Sequence, residues 1–333
     1  MLTLDEILKA TTFADLFAEG TKKELRKLLK NTHPDLHPNE KAKAEKAFVH
    51  VNTIWALKDK PSGTKHTDAK ETLREDTILT KKHEYTVKLR RTANGVNTYD
   101  AVYDGAQKAN LLIATHPKIG AALLDGTRNL KQIKTNIPDQ YLEFFPETLD
   151  AFHIPQPNGQ KLSGVAQPST KTFYSLREVI EDYPKGIDQK DVAWMYRRML
   201  VAIGNTHDAG FAHGAPNLDA FLIEPETHAL VLTNWQFSKE LDQNINMVTP
   251  DLKEFYETDR EMTKKKDLRI LSEAAFQLLH PGSTKRIRAF FNGMRRYPTN
   301  DARAALGEFD ALLKELWGER DFHAFRMRRP PVQ

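Results

Sequence analysis

One stretch limits what this chain can fold into more than any other: Ala212 to Ser238, AHGAPNLDAFLIEPETHALVLTNWQFS. A polar loop opens it. An apolar run follows (Phe221, Leu222, Ile223), then a turn at Pro225 and a second apolar run (Leu230, Val231, Leu232) ending in a polar corner. Runs this short, bounded by turn residues, read as buried strands.

Composition narrows the function classes. At 333 residues there is room for one large domain or two unequal ones. No apolar run is long enough for a bilayer span, and Asp5, Glu6 and Lys9 interrupt the first apolar stretch where a signal peptide would need continuity. The expectation is a cytosolic protein without membrane attachment. With no cysteine, disulfides, thiolate metal sites and cysteine nucleophiles are all ruled out. The 49 basic and 45 acidic residues nearly cancel, which argues against a nucleic-acid partner. The runs Lys264-Lys265-Lys266 and Arg326-Met327-Arg328-Arg329 read as solvated loop and tail. His33 and His37 are separated by Pro34, so no helix aligns them, and no metal-binding cluster is expected.

At the N-terminal end, Thr3-x-x-Glu6 and Thr21-x-x-Glu24 have the form of capping boxes. Residues 2–10 and 12–19 compete for the first helix. Lys22 to about Asn31 reads as a helix with Leu25, Leu28 and Leu29 on one side and Lys22, Lys23, Arg26, Lys27 and Lys30 around the rest. His33-Pro34-Asp35 and Pro38 break it, and a return helix from near Asn39 to about Lys58 carries Phe48, Val51, Ile54 and Trp55 as its stripe. Basic helix, His-Pro-Asp turn and return helix together resemble the J-domain of DnaJ-type co-chaperones. That resemblance implies a DnaK-type chaperone as partner, docked and stimulated through His33, Pro34 and Asp35, with Lys22, Lys23, Arg26 and Lys27 as the docking face. The competing reading is a plain helical hairpin with a solvated basic face.

Residues 61–83 turn polar and read as a linker, with a short exposed helix near 69–75. Beyond it, EYTVKLRR (84–91) alternates like a strand, Gly95 and Asp104-Gly105 mark turns, and Tyr99–Tyr103 and Leu111–Ile113 read as two more strands. Ile119 to Ile133 is helical, Tyr141–Phe152 and Lys161–Ala166 would complete the sheet, and a helical half follows, including helices from Asp267 to Leu279 and Asp301 to Trp317. This order, with HGA before an apolar strand, resembles the two lobes of protein kinases over about residues 84–325. It is similar above all to bacterial and phage proteins that place a J-domain-like segment before a divergent kinase domain.

The resemblance supplies a test of chemistry, because phosphoryl transfer depends on positioned charges. Two residues after His213, where a kinase has its catalytic aspartate, stands Ala215. The metal-binding asparagine is replaced by Ala220, and the metal-binding aspartate by Asn234. The strand lysine falls at about Leu112, its glutamate partner near Asp125 or Thr127, and only Gly95 remains of the glycine loop. Asp208 and Asp219 read as solvated loop carboxylates, and Trp235 and Phe237 as core. Asp267 resembles the structural aspartate that ties a large-lobe helix to the catalytic-loop backbone.

The sequence therefore reads as an α+β chain in four parts. These are a helical-hairpin J-domain (1–60), a linker (61–83), a bilobal kinase-like domain without catalytic residues (84–325) and a basic tail (326–333). ATP and magnesium binding are expected to be weak or absent. The expected function is a co-chaperone or adaptor whose pseudokinase domain holds a client. The alternative is a divergent protein or small-molecule phosphotransferase.

Overall fold

Both capping boxes form. The Thr3 hydroxyl accepts from the Glu6 amide at 3.3 Å while the Glu6 carboxylate accepts from the Thr3 amide at 2.7 Å. Thr21 and Glu24 repeat the exchange at 3.3 and 3.0 Å. The computed structural model describes residues 3–10, 13–17, 21–32, 36–37, 40–55, 76–155, 160–319, 322 and 324–329. The chain divides into two compact units, Met1–Thr72 and Leu73–Gln333.

In the first unit the described helices are α1 (Leu4–Lys9), α2 (Phe13–Leu16), α3 (Lys22–Asn31) and α4 (Lys41–Trp55). The two candidates for a first helix are thus two short helices in succession. Ile7, Ala44, Ala47 and Val51 are fully buried, and Leu25, Leu28 and Leu29 pack against them. The seam of α4 is therefore built on two alanines as well as Val51, with Phe48 only half-buried. Small side chains there let helix axes approach closely. The His33-Pro34-Asp35 turn lies outside the described residues, as do the side chains of Lys22 and Lys23; Arg26 and Lys27 are exposed on α3.

The second unit begins inside the expected linker. Residues 61–75, including the expected helix near 69–75, lie outside the described residues, but β1 (Asp76–Leu79) pairs with β2 (Glu84–Ala93) as an edge strand. Four residues are too few to show alternation, yet Ile78 packs on the sheet's core. β3 (Val96–Tyr103), β4 (Gln107–Ala114), β5 (Asp150–Pro155) and β6 (Lys161–Pro168) complete an antiparallel sheet in the order β1-β2-β3-β4-β6-β5. Asn94 and Gly95 (φ 51° and 73°) form a two-residue hairpin turn, and Asp104 and Gly105 (φ 46° and 83°) open a three-residue one that ends at Ala106. One face carries Tyr85, Val87, Ala101, Leu111 and Phe152 as a core. Helix α5 (Pro117–Asn136) packs on β4 and β6.

The expected strand at Tyr141–Phe152 starts only at Asp150. Asp139–Phe144 is a 3-10 turn entered from Pro138, and Phe144 and Phe145 belong to the core of the helical lobe, not to the sheet. That lobe follows β7 (Tyr174–Ser175), α6 (Leu176–Asp182), the central α7 (Gln189–Asp208) and β8 (Phe211–Ala212). The two apolar runs of the opening stretch are β9 (Phe221–Glu224) and β10 (Ala229–Leu232), paired Leu230 to Ile223 and Leu232 to Phe221. Beyond β11 (Lys239–Glu240) and α8 (Lys253–Tyr256) come α9 (Lys264–Leu278), α10 (Lys285–Arg296) and α11 (Ala302–Trp317). Tyr196 of α7 sits edge-on to Phe291 and Phe309, ring centres 4.7 and 5.0 Å away, and its hydroxyl bonds Ser272 at 2.9 Å.

Both basic runs keep their side chains at least partly exposed, as expected, but each is anchored by specific contacts. Lys266 bonds the Asp259 carboxylate at 2.6 Å and lies over the Tyr256 ring. At the C-terminal end Phe325 enters the helical core, and the Tyr183 hydroxyl donates to the Arg326 carbonyl. The Arg329 guanidinium bonds the buried Asp182 at 3.0 Å, and Tyr174 donates to the Arg329 carbonyl at 3.0 Å. A single aromatic and two hydrogen-bonded backbone carbonyls convert the expected tail into a strap. Among the described residues, no helix is long and apolar enough to cross a membrane.

Candidate functional site

The loop before β9 hangs on one carboxylate. Asp267, fully buried on α9, accepts from the amides of His213 (2.7 Å) and Gly214 (2.8 Å) and from His207 Nε2 (3.0 Å). His213 is equally buried. Its Nε2 donates to the Thr233 carbonyl at 2.7 Å, and its Nδ1 accepts from the Ala215 amide at 3.4 Å, so the neutral ring is satisfied on both sides. Burial pushes the His213 pKa below its ordinary 6.5, against the attraction of Asp267. The unfolded chain then binds this proton more tightly than the native state, so the stability it contributes is full above pH 6.5 and falls as pH drops below that value. Urea midpoints measured downward from neutral pH should fall, and His213→Asn should flatten that part of the fall.

Around this hub the two alanines that stand at catalytic positions are packed shut. Ala215 is 1% exposed among Phe237, Leu252, Tyr256 and Met262, and Ala220 is fully buried in the core of the helical lobe. Asn234 is left-handed (φ 64°), and its Nδ2 donates to the Asp219 carbonyl at 2.9 Å. Trp235 donates from Nε1 to the Leu232 carbonyl and is core. Asp219 is not a solvated carboxylate, as Arg177 grips it with a two-pronged contact at 2.6–2.9 Å. Asp208 pairs with Arg303. Both carboxylates are ion-paired with an arginine. Among the described residues no group of three or more His, Asp and Glu could hold a metal.

Helix α5 closes the site from the other side. Asp125 pairs with Arg128, and the Thr127 hydroxyl donates to the Leu123 carbonyl at 2.8 Å. Between them, Gly126 sits where a Cβ would lie 2.1 Å from the Trp235 carbonyl oxygen. The Asn129 amide then reaches the Ser238 carbonyl at 3.0 Å. Backbone meets backbone where a kinase would need a glutamate side chain. Gly126→Ala should cost about 1–3 kcal/mol or more by forcing helix and loop apart, read as a lower urea midpoint.

Leu112 on β4, paired with Thr98 and Val165, lines the cleft between the lobes with Thr98, Asn110, Gln167, Leu222 and Asn234. Arg90 enters this cleft. The β2–β3 register jumps between Leu89 and Arg91, a bulge that turns two consecutive arginines out of the sheet's alternation. The Arg90 side chain, 7% exposed, donates to the Thr170 carbonyl at 3.4 Å and the Phe173 carbonyl at 3.2 Å, with Asp100 at 3.8 Å. The space left is about 50 Å³, where ligand pockets hold roughly 300–1,000 Å³. A wider groove of about 600 Å³ lies beside it, but Glu178, Glu181, Asp219 and Asp251 outnumber its three arginines, Arg90, Arg91 and Arg177. Triphosphate is disfavoured there by charge. The two-residue Asn94-Gly95 turn also leaves no loop of free amides to cover phosphates.

The arginines and Gly126 escaped the sequence reading. For Arg90 and Arg91 the one visible signal is in EYTVKLRR, where period-two alternation stops at the arginine pair.

No known family model matches the chain, and no curated protein matches it in sequence. Solved structures do. Vaccinia related kinase 3 aligns with a TM-score of 0.57 and 14% identity, over 74% of this chain and 93% of that one. The BubR1 kinase domain aligns with a TM-score of 0.56 and 14% identity, over 90% and 95%. The larger unit, with its curled antiparallel sheet and helical lobe, has the protein-kinase-like fold.

Proposed function

We propose that this chain is a non-catalytic adaptor, in which a kinase-like domain holds a protein partner and the N-terminal helical unit recruits a DnaK-type chaperone. The observation that carries the non-catalytic reading is the burial of Ala215 and Ala220 together with the engagement of Asn234 by Asp219. No side chain at those three positions offers a carboxylate to a hydroxyl proton or a magnesium ion. The phosphotransferase alternative needs a base and a metal ligand, and the nearby carboxylates Asp208, Asp219 and Asp267 are each held by a cationic or hydrogen-bonding partner.

The chaperone reading rests on the resemblance of residues 1–60 to J-domains. It is supported by Arg26 and Lys27, which stand exposed on α3 while Leu25, Leu28 and Leu29 of the same helix face its partners. A chain without cysteine suits a cytosolic setting. The test is the ATPase rate of a DnaK-type chaperone with the intact protein and with His33→Gln. Stimulation by the first and not the second is expected. No stimulation by the intact protein would remove the chaperone and leave the adaptor.

A further inference from the structure

We propose that the interlobe cleft is a guanidinium site occupied from within by Arg90, so that the chain carries its own cleft ligand. This deepens the non-catalytic reading of the same cleft and rests on it. The lining is rich in acceptors. Arg90 donates to two backbone carbonyls, Thr170 and Phe173, in the connector between β6 and β7. Asn110 donates to the Thr170 hydroxyl, which leaves its own buried Oδ1 without a hydrogen-bond partner; the buried Asp100 Oδ1 has none either. Two backbone carbonyls within hydrogen-bond distance and a carboxylate oxygen 3.8 Å away suit a planar donor-rich cation, which a guanidinium supplies and a phosphate or carboxylate does not. Arg90 is thereby a positioning residue: through it β2 of the sheet lobe is tied to the connector that leads into the helical lobe. Any ligand seeking those carbonyls must displace a side chain that is itself buried and would be left with its charge uncompensated.

The experiment uses the full chain and three small probes at the same low millimolar concentration: methylguanidinium, methylammonium and urea. Arg90→Ala is expected to melt several degrees below the intact protein. Methylguanidinium should recover a measurable part of that loss, the other two probes none, and none of the three should raise the melting temperature of the intact protein. Arg90→Lys should remain destabilised, because an ammonium lacks the planar fork. Should Arg90→Ala not fold, the intact protein with nitrogen-labelled arginine offers a second readout. A slowly exchanging guanidinium proton signal that is absent in Arg90→Lys is expected. Equal response to all three probes, or no protected signal assignable to Arg90, would overturn the proposal. Phosphoryl transfer by the intact protein would instead overturn the non-catalytic reading, so the two failures are distinguishable.

Discussion

Asp267→Ala should be among the most damaging single substitutions in the larger unit, lowering its stability by about 3–5 kcal/mol. The change strands two buried amides, those of His213 and Gly214, and removes the acceptor of His207 Nε2. None of these groups can turn to water, because His207, His213 and Asp267 are all buried. Asp267→Asn keeps one carbonyl oxygen and should lose roughly half as much. Urea unfolding followed by tryptophan fluorescence reads both, since Trp235 lies edge-on to His213 with ring centres 5.0 Å apart. A loss below about 1 kcal/mol for the alanine variant would mean that the loop is held by something other than this carboxylate.

Ala215→Asp is expected to harm the protein and not to restore chemistry. In a kinase this residue would be the proton acceptor. Here it would put a carboxylate among the apolar side chains of Phe237, Leu252, Tyr256 and Met262. Burying an unpaired carboxylate should cost about 3 kcal/mol or more, partly relieved by its protonation. Adding Ala220→Asn and Asn234→Asp should deepen the loss, because the first enlarges a fully buried side chain and the second replaces the amide that donates to the Asp219 carbonyl with an acceptor. The triple variant is expected to show no transfer of labelled phosphate from ATP. A well-folded variant that gained transfer would show that the frame is still poised for catalysis.

These two substitutions also mark how much was legible in the sequence. Local signals read cleanly. Asn94-Gly95 and Asp104-Gly105 needed only turn chemistry, the capping boxes only their spacing, and β9 and β10 only short apolar runs between turn residues. The three substitutions for catalytic residues were legible because each sits at a fixed count from His213 or the second strand. What stayed hidden depends on groups far apart in the chain. Asp219 looks like a loop carboxylate until Arg177, 42 residues away, is brought against it. Gly126 looks like a weak point in a helix until the Trp235 backbone is placed within reach of it. Phe325 sits near four tail residues of mostly basic character, and nothing local reveals that the helical core receives its ring. β1 was lost for a different reason: four residues at the end of a polar segment are too few for a period to emerge.

The most direct test of the central claim is calorimetric titration of ATP with magnesium into the full-length protein at neutral pH. A cleft of about 50 Å³ filled by Arg90, beside loops without a free carboxylate for the metal, predicts no heat of binding and no rise in melting temperature. Saturable, magnesium-dependent binding, which at a hundredfold excess over Kd would stabilise the fold by about 2.7 kcal/mol, would contradict it.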